Sequence, residues 1–278
     1  MHLEHFTYGP LTPGLAYALS VLGSLLGLLC TVRARAMTDR GRRARWLLLA
    51  AWAIGGTGIW VMHFMAMIGF SIPGETVKYD IPVTVGSWLT AIVVVAIGLF
   101  IVGFGKPSAI KILAAGVFTG VGVAAMHYTG MAAMRTPATV TYDTNTVAAS
   151  VAIAVVAATV ALWFTVTLRR GVMLTIAALI MGVAVSGMHY TGMAAMRVAS
   201  GEPKPIVGIL PIAFIAPIAV FVIAVIMVLF TALINRSGTD GQGDGTGGED
   251  PTVRLAPAAA LIPRQRRSIA SAFAPRLR

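Results

Sequence analysis

The sequence has little charge and almost no cysteine. Only 11% of its 278 residues are charged, 10 of them acidic, and there is 1 cysteine, whereas a soluble domain carries about 25% charged residues. The lone cysteine, Cys30, excludes a disulfide within the chain. No aspartate or glutamate lies in a long apolar segment, so hydrolysis at a hard metal and proton pumping through buried carboxylates lack their usual groups. Imidazole and thioether groups are the remaining candidates for chemistry.

Apolar sequence, by contrast, is abundant and occurs in long runs. Hydrophobic residues make up 57% of the chain, and seven segments are long enough to cross the ~30 Å hydrocarbon core of a bilayer as helices. Because lipid offers no partners for backbone polar groups, these segments must be helical. We therefore predict an all-α membrane protein, a seven-transmembrane-helix bundle, with kinks at Pro211 and Pro217 in the last span. The predicted spans are Leu11–Val32, Trp46–Ile68, Val83–Phe104, Ile110–Met134, Val147–Leu168, Val172–Met196 and Ile206–Ile234.

Loop charges predict the orientation of this bundle. The first connection, Arg33–Arg45, holds six arginines and one acid. The alternate connections hold fewer basic residues and nearly all of the remaining loop acids. The positive-inside rule therefore predicts the N-terminus outside and the C-terminus cytoplasmic. The third and fifth connections, on the same side as the first, carry Lys106, Lys111, Arg169 and Arg170.

The predicted spans and their orientation divide the chain into three parts. We predict an extracytoplasmic N-terminal segment at residues 1–10, a membrane domain at residues 11–234 and a flexible, basic cytoplasmic tail at residues 235–278. The net charge of +11 follows largely from the loops and the tail. We therefore expect a lipid bilayer around the protein and no nucleic acid partner.

A ten-residue motif is the most informative feature of the chain. The string MHYTGMAAMR occurs at residues 126–135 and 188–197, and a shorter copy, MHFMAM, occurs at residues 62–67. Each copy lies at the predicted outer end of the second, fourth or sixth span. A motif repeated at a fixed period indicates one structural unit used several times, so we predict internal helix-pair repeats with three histidines at one membrane depth.

Helical geometry selects the residues that accompany each histidine. The residue four positions after a helical residue lies about 40° around the axis from it, and in every copy that residue is methionine: Met67, Met131 or Met193. A glycine lies two turns before each histidine, on nearly the same predicted face, where it would allow a neighbouring helix to approach closely. These glycines are Gly56, Gly120 and Gly182.

Three pairs of a histidine and a methionine at one membrane depth indicate a shared metal or cofactor site at His63, His127 and His189. Imidazole with thioether, and without carboxylate or thiolate, suits Cu(I) better than zinc, magnesium or calcium. A low-coordinate Cu(I) would leave a position for a diatomic gas. The alternative is a purely structural layer of hydrogen-bonded histidines, with methionine as core filler. No nucleophile–base pair, phosphate loop or oxidoreductase fingerprint indicates an enzyme.

The repeated Met-His-Tyr-Thr tetrads resemble the MHYT domain family of bacterial integral-membrane sensors. The resemblance covers about Leu11–Ile234, with residues 60–64 resembling a variant first repeat. It implies a multi-pass protein of the bacterial cell (plasma) membrane that binds copper and senses O2, CO or NO from outside the cell. The copper ligands implied by the resemblance are His63, His127 and His189, with Met67, Met131 and Met193.

The chain departs from many similar proteins after the last helix. Those proteins attach domains for cyclic-di-GMP synthesis or hydrolysis, or a histidine kinase, whereas about 44 residues remain here from Asn235. We therefore expect a stand-alone form that signals through a separate cytoplasmic partner. Two other functions stay open: a Cu(I)-handling protein for storage or delivery, with Met1, His2 and His5 as an entry site, and a haem b protein with two motif histidines as axial ligands.

Overall fold

Seven helices in the structure are long and apolar enough to span a membrane, as predicted. The structure is a computed structural model that describes residues 7–169, 171–199, 201 and 205–234. The predicted entry site at Met1, His2 and His5 and the predicted tail at residues 235–278 lie outside the described residues. The spanning helices are α1 (Leu11–Ala36), α2 (Arg40–Ile68), α3 (Ile81–Gly103), α4 (Ala109–Ala132), α5 (Thr144–Thr167), α6 (Gly171–Ala194) and α7 (Ile215–Ile234).

Short polar side chains set the starts of four of these helices. Asp39, Asp80, Ser108 and Asp143 precede α2, α3, α4 and α5, and each accepts a hydrogen bond from the backbone N–H three residues later. Such caps satisfy N–H groups that have no partner within the helix. The helices therefore begin where the sequence supplies a cap, at residues that the apolar runs alone did not identify.

The second helix is not a uniform α-helix. It is α-helical over Arg40–Ala51, π-helical over Trp52–Val61 and α-helical again over Met62–Ile68. The prediction that Gly56 shares a face with His63 assumed α-helical turns throughout and is wrong for this copy, because i→i+5 hydrogen bonds widen each turn.

The two intact copies keep the predicted geometry, because α4 and α6 are α-helical along their length. A Cβ atom placed on Gly120 would lie 2.7 Å from the backbone nitrogen of Val155 in α5. A Cβ atom on Gly182 would lie 2.7 Å from a methyl group of Val21 in α1. Both glycines therefore mark close helix contacts, as expected of small residues in membrane bundles.

The last helix begins later than predicted. Residues 206–210 are not helical, and Ile209 pairs with Tyr79 through two backbone hydrogen bonds of 2.8 and 3.0 Å. Pro211 opens a 3-10 turn, Pro211–Phe214, and Pro217 lies in the first turn of α7. The first N–H groups of a helix have no acceptor within it, so proline is tolerated there. The two prolines therefore belong to the start of the helix, and a kink at either of them stays a prediction.

Two short antiparallel ribbons tie the repeats together at the histidine end, the end of the bundle where the motif helices finish. Strand β1 (Lys78–Tyr79) pairs with β2 (Met134–Arg135), and β3 (Thr139–Tyr142) pairs with β4 (Met196–Ala199). Strands β2 and β4 follow α4 and α6 directly. Each ribbon thus joins the end of one motif helix to the loop from another repeat.

Candidate metal centre

The three motif histidines meet in the core of the bundle. His63 comes from α2, His127 from α4 and His189 from α6, and each is at most 1% exposed. Their Nδ1 atoms form a triangle with sides of 3.1 Å, 3.1 Å and 3.4 Å. The helix-pair repeat therefore brings together three residues, of which His127 and His189 lie 64 and 126 positions after His63 in the chain.

The triangle has the dimensions of a metal site. The point equidistant from the three nitrogens lies about 1.9 Å from each, close to the ~2.0–2.1 Å of a zinc–imidazole bond. The rings stand nearly perpendicular to one another, with interplanar angles of 84°, 83° and 89°. Perpendicular rings let three nitrogens approach one point while their carbon atoms stay apart.

The three imidazoles cannot satisfy one another by hydrogen bonds alone. A neutral imidazole has one N–H donor and one acceptor nitrogen. If all three Nδ1 atoms carry lone pairs, three acceptors face one another, and if one carries a proton, at least one lone pair remains unmatched. Because the site is buried from water, an added cation is the simplest counterpart for the converging lone pairs.

Glycines in the motif allow this convergence. A Cβ atom placed on Gly130, three residues after His127, would lie 2.5 Å from Nε2 of His63. A Cβ atom on Gly192, three residues after His189, would collide with Nε2 of His127. Each of these two rings therefore leans on the helix that carries the next motif copy. Among the described residues, neither Nε2 atom has a hydrogen-bond partner.

Sequence reasoning missed these two glycines although the motif contains them. Both intact copies read His-Tyr-Thr-Gly, so Gly130 and Gly192 recur at the same place in the motif. The first copy has Ala66 at this position. The glycines that were predicted to matter, two turns before the histidines, contact other helices and not the imidazoles.

The predicted methionine ligands are buried and lie close to the histidines in sequence. Met67, Met131 and Met193 are 1%, 1% and 2% exposed and belong to one hydrophobic core cluster. Met126 and Met188, which precede two of the histidines, are buried in the same cluster. Burial removes these thioethers from water, and coordination by them stays a prediction.

Serines in the following helices anchor the motif. The Tyr128 hydroxyl lies 2.7 Å from Oγ of Ser150 in α5, and the Ser150 hydroxyl donates to a carbonyl of its own helix. In the first copy Phe64 replaces the tyrosine, and Trp60 Nε1 donates instead to Oγ of Ser87 in α3, at 3.0 Å. Helices α2 and α4 are thus each joined to the helix that follows by a side-chain hydrogen bond to a serine, which involves Trp60 in α2 and Tyr128 in α4.

The last residue of each intact motif is an arginine that faces an aspartate of another loop. Arg135 donates to Asp80 at 2.9 Å, and Arg197 acts electrostatically on Asp143. The backbone N–H of Val83, and then Arg135, hold the pKa of Asp80 below its usual value. Burial raises the pKa of Tyr79, the neighbour of Asp80 in the ribbon. These contacts hold the ribbons over the histidine end.

Comparison with known proteins places this arrangement in context. The sequence profile of the MHYT repeat, described as the N-terminal repeat of bacterial signalling proteins, matches residues 56–116, 120–178 and 182–240. The chain is 36% identical over 202 residues to the bifunctional diguanylate cyclase/cyclic di-GMP phosphodiesterase MucR of Pseudomonas aeruginosa, covering 70% of this chain and 29% of that protein. It is 35% identical over 209 residues to the cyclic di-GMP phosphodiesterase NbdA of the same organism, covering 72% of this chain and 26% of the relative.

A more distant relative is the signaling protein YkoW of Bacillus subtilis, at 26% identity over 200 residues, covering 69% of this chain and 24% of that protein. The chain therefore spans less than a third of the length of these relatives. No solved structure matches it.

Proposed function

The chain belongs to the MHYT family of membrane signalling proteins, and from that premise we propose that it binds Cu(I) at His63, His127 and His189 and senses a diatomic gas there. The observation that carries this proposal is the triangle of three buried Nδ1 atoms with sides of 3.1–3.4 Å. A structural histidine layer does not need three lone pairs aimed at one point, whereas a metal ion does.

The donor set favours copper over other metals. Among the described residues, the one group of three or more metal-binding side chains contains histidines alone. Thioether is a soft donor that suits Cu(I), whereas imidazole also binds zinc, iron and nickel, so the preference for copper rests on the methionines that accompany the histidines. When bound, Cu(I) would supply an open coordination position for O2, CO or NO. The thioethers of Met67, Met131 and Met193 would lie beside the imidazoles as supporting soft donors, with the one open position left to the gas.

The contacts of the histidine rings suggest how the site would report its state. His63 leans on Gly130 of α4, and His127 leans on Gly192 of α6. A shift of either ring towards its glycine would therefore push on a helix that runs to the opposite end of the bundle. A separate cytoplasmic partner would read that movement. The names of two relatives link those proteins to cyclic di-GMP. For this chain, a separate partner that makes or degrades cyclic di-GMP is part of the proposal.

Metal analysis of the full-length protein tests the copper site. Wild-type protein loaded with Cu(I) alone should hold one copper per chain, and His127→Gln/His189→Gln should hold none, because one imidazole remains. Met65→Leu, a half-buried change in the first motif copy outside the ligand set, serves as the matched control. Full copper stoichiometry in the double variant, with unchanged helix content, would overturn the site.

Carbon monoxide tests the sensing half of the proposal separately. The Cu(I)-loaded protein should bind one CO per copper and show a single C–O stretch in the infrared, which shifts in Met131→Leu if that thioether is a ligand. Copper binding without any CO adduct would retain the metal site and reject the gas sensor. That result would favour the copper-handling alternative, which predicts altered copper tolerance in a deletion strain and no response to gas.

The geometry does not favour the haem alternative. Two axial histidines of one haem lie on opposite faces of the porphyrin, whereas all three Nδ1 atoms here lie within 3.4 Å of one another. Three nitrogens this close together suit one small ion better than the two faces of a porphyrin. A Soret band in the purified protein would contradict this conclusion.

A further inference from the structure

We propose that a cavity at the end of the bundle opposite the histidines binds a phosphate group. The cavity has a volume of about 230 Å³ and lies among the ends of α1, α2, α3 and α5. We call it the arginine cavity, because the charged groups that line it are Arg35, Arg43 and Arg169. The proposal does not rest on the copper site.

The guanidinium groups in the arginine cavity are only partly satisfied. Arg35 Nη2 donates to the carbonyl of Leu168, and Arg43 Nη2 donates to the carbonyl of Met37 at 2.9 Å. Arg35 Nη1 and Arg43 Nε are buried and have no hydrogen-bond partner among the described residues. A buried N–H of a charged group without an acceptor costs more free energy than a neutral one, so an acceptor in the cavity would be stabilising.

The charged side chains that line the arginine cavity are all positive among the residues that the structure describes. None of its described lining residues is acidic. The two ion pairs in the described part of the chain, Asp39 with Arg42 and Asp80 with Arg135, involve other arginines. Arg169 is close enough for its positive charge to act on Arg35. Like charges gathered without a counter-charge repel one another, and an anion would offset that repulsion.

A phosphate group fits these requirements better than other anions. Guanidinium groups bind phosphate oxygens through paired hydrogen bonds, and two free N–H groups on separate arginines suit an anion with several oxygens. Thr31 and Thr165 in the lining donate to carbonyls of their own helices, so the arginines carry the recognition. The source of the phosphate group is either an anionic lipid headgroup or a soluble phosphate compound, and basic pockets between membrane helices suit the former.

Full-length protein in phosphatidylcholine nanodiscs provides the test, with inorganic phosphate and phosphatidylglycerol as the two probes. Inorganic phosphate should raise the melting temperature of wild type if the source is soluble. If the source is lipid, native mass spectrometry should show one retained phosphatidylglycerol and phosphate should have no effect. In Arg35→Gln/Arg43→Gln, binding of the active probe should weaken about ten-fold or more, because two charged hydrogen bonds are lost.

Two further variants keep the test decisive. Arg42→Gln removes one positive charge next to Arg43, as Arg169→Gln does elsewhere in the chain, but its side chain already pairs with exposed Asp39, so it should bind like wild type. Arg169→Gln alters an exposed residue and should weaken binding several-fold even if the double variant does not fold. Failure of both probes to bind wild type, or equal weakening in Arg42→Gln, would overturn the proposal. Copper content, measured in parallel, reports on the other site alone.

Discussion

The polar side chains at the two ends of the bundle differ in the partners that the chain provides for them. At the histidine end, imidazoles face one another, Tyr128 bonds Ser150, and Arg135 pairs with Asp80 across the ribbon. At the arginine end, Arg35 and Arg43 each keep a buried N–H without an acceptor among the described residues. At the first end side chains face one another within the chain, although the imidazole lone pairs there still lack a counterpart, and at the second end the buried N–H groups lie beside a cavity.

The largest effect is expected where the backbone of one motif helix meets an imidazole of another. Gly192→Ala introduces a Cβ atom that collides with Nε2 of His127, so the ring must move and the triangle must open. We expect copper affinity to fall by about 10- to 100-fold, the usual range for groups that position metal ligands. A competition titration with a Cu(I) chelator measures it.

Two control glycines show whether that effect belongs to the site. Gly187 precedes Gly192 in the same helix, and a Cβ atom placed there would meet nothing within 4 Å, so Gly187→Ala should leave copper affinity unchanged. Gly105, at the arginine end, has a φ of +77°, and Gly105→Ala should cost about 1 kcal/mol of stability through backbone strain without affecting copper. Equal loss of copper affinity in all three variants would show that glycine replacement acts through general destabilisation.

The contrast between these glycines also shows what the sequence could predict. Apolar runs predicted all seven spans, because the bilayer leaves helices as the only solution, and the repeated histidines predicted one shared site. Gly130 and Gly192 were missed because their role depends on which helices become neighbours. The two- and four-residue strands were missed for the same reason, since pairing across repeats stabilises them. The π-helix over Trp52–Val61 was missed as well.

A smaller effect should come from the hydrogen bond between Tyr128 and Ser150. Tyr128→Phe, Ser150→Ala and the double variant form a cycle whose coupling energy we expect to be about 1 kcal/mol and favourable. Denaturant titration in mixed micelles measures the free energy of unfolding for each variant. Tyr128→Phe also gives the second copy the phenyl ring that the first copy has at Phe64.

The same cycle at the arginine end should have the opposite sign. Arg35 and Arg169 are like charges without a described acidic partner. In zwitterionic lipid with no added inorganic phosphate, replacing either arginine by Gln should therefore remove the repulsion that acts on the remaining arginine. A favourable coupling between these arginines, of the same sign as that of Tyr128 with Ser150, would contradict the view that the two ends differ.

The smallest effect concerns the pH dependence of the ribbon over the histidines. The backbone N–H of Val83 and the guanidinium of Arg135 hold the pKa of Asp80 below its usual value, which is about 3.9 in an unfolded chain. A lowered folded pKa means that Asp80 contributes stability above about pH 4 and loses it as the pH falls through the folded pKa. The protection of the Tyr79 amide, which donates to Ile209, against hydrogen exchange should therefore fall in wild type as the pH passes below the folded pKa of Asp80.

Asp80→Asn separates this carboxylate from the rest of the ribbon. The variant keeps a cap for α3, because asparagine also accepts from the backbone N–H of Val83, but it loses the charge that Arg135 pairs with. Its Tyr79 amide should be less protected against hydrogen exchange at neutral pH than the same amide in wild type, and this protection should change less on acidification. The arginine end contains no titrating carboxylate among the described lining residues of its cavity, so phosphate binding there should not follow the same acid transition. If both ends lost their structure together at one pH, the histidine end and the arginine end would form one cooperative unit. The difference between them that is inferred from their contacts would then be wrong.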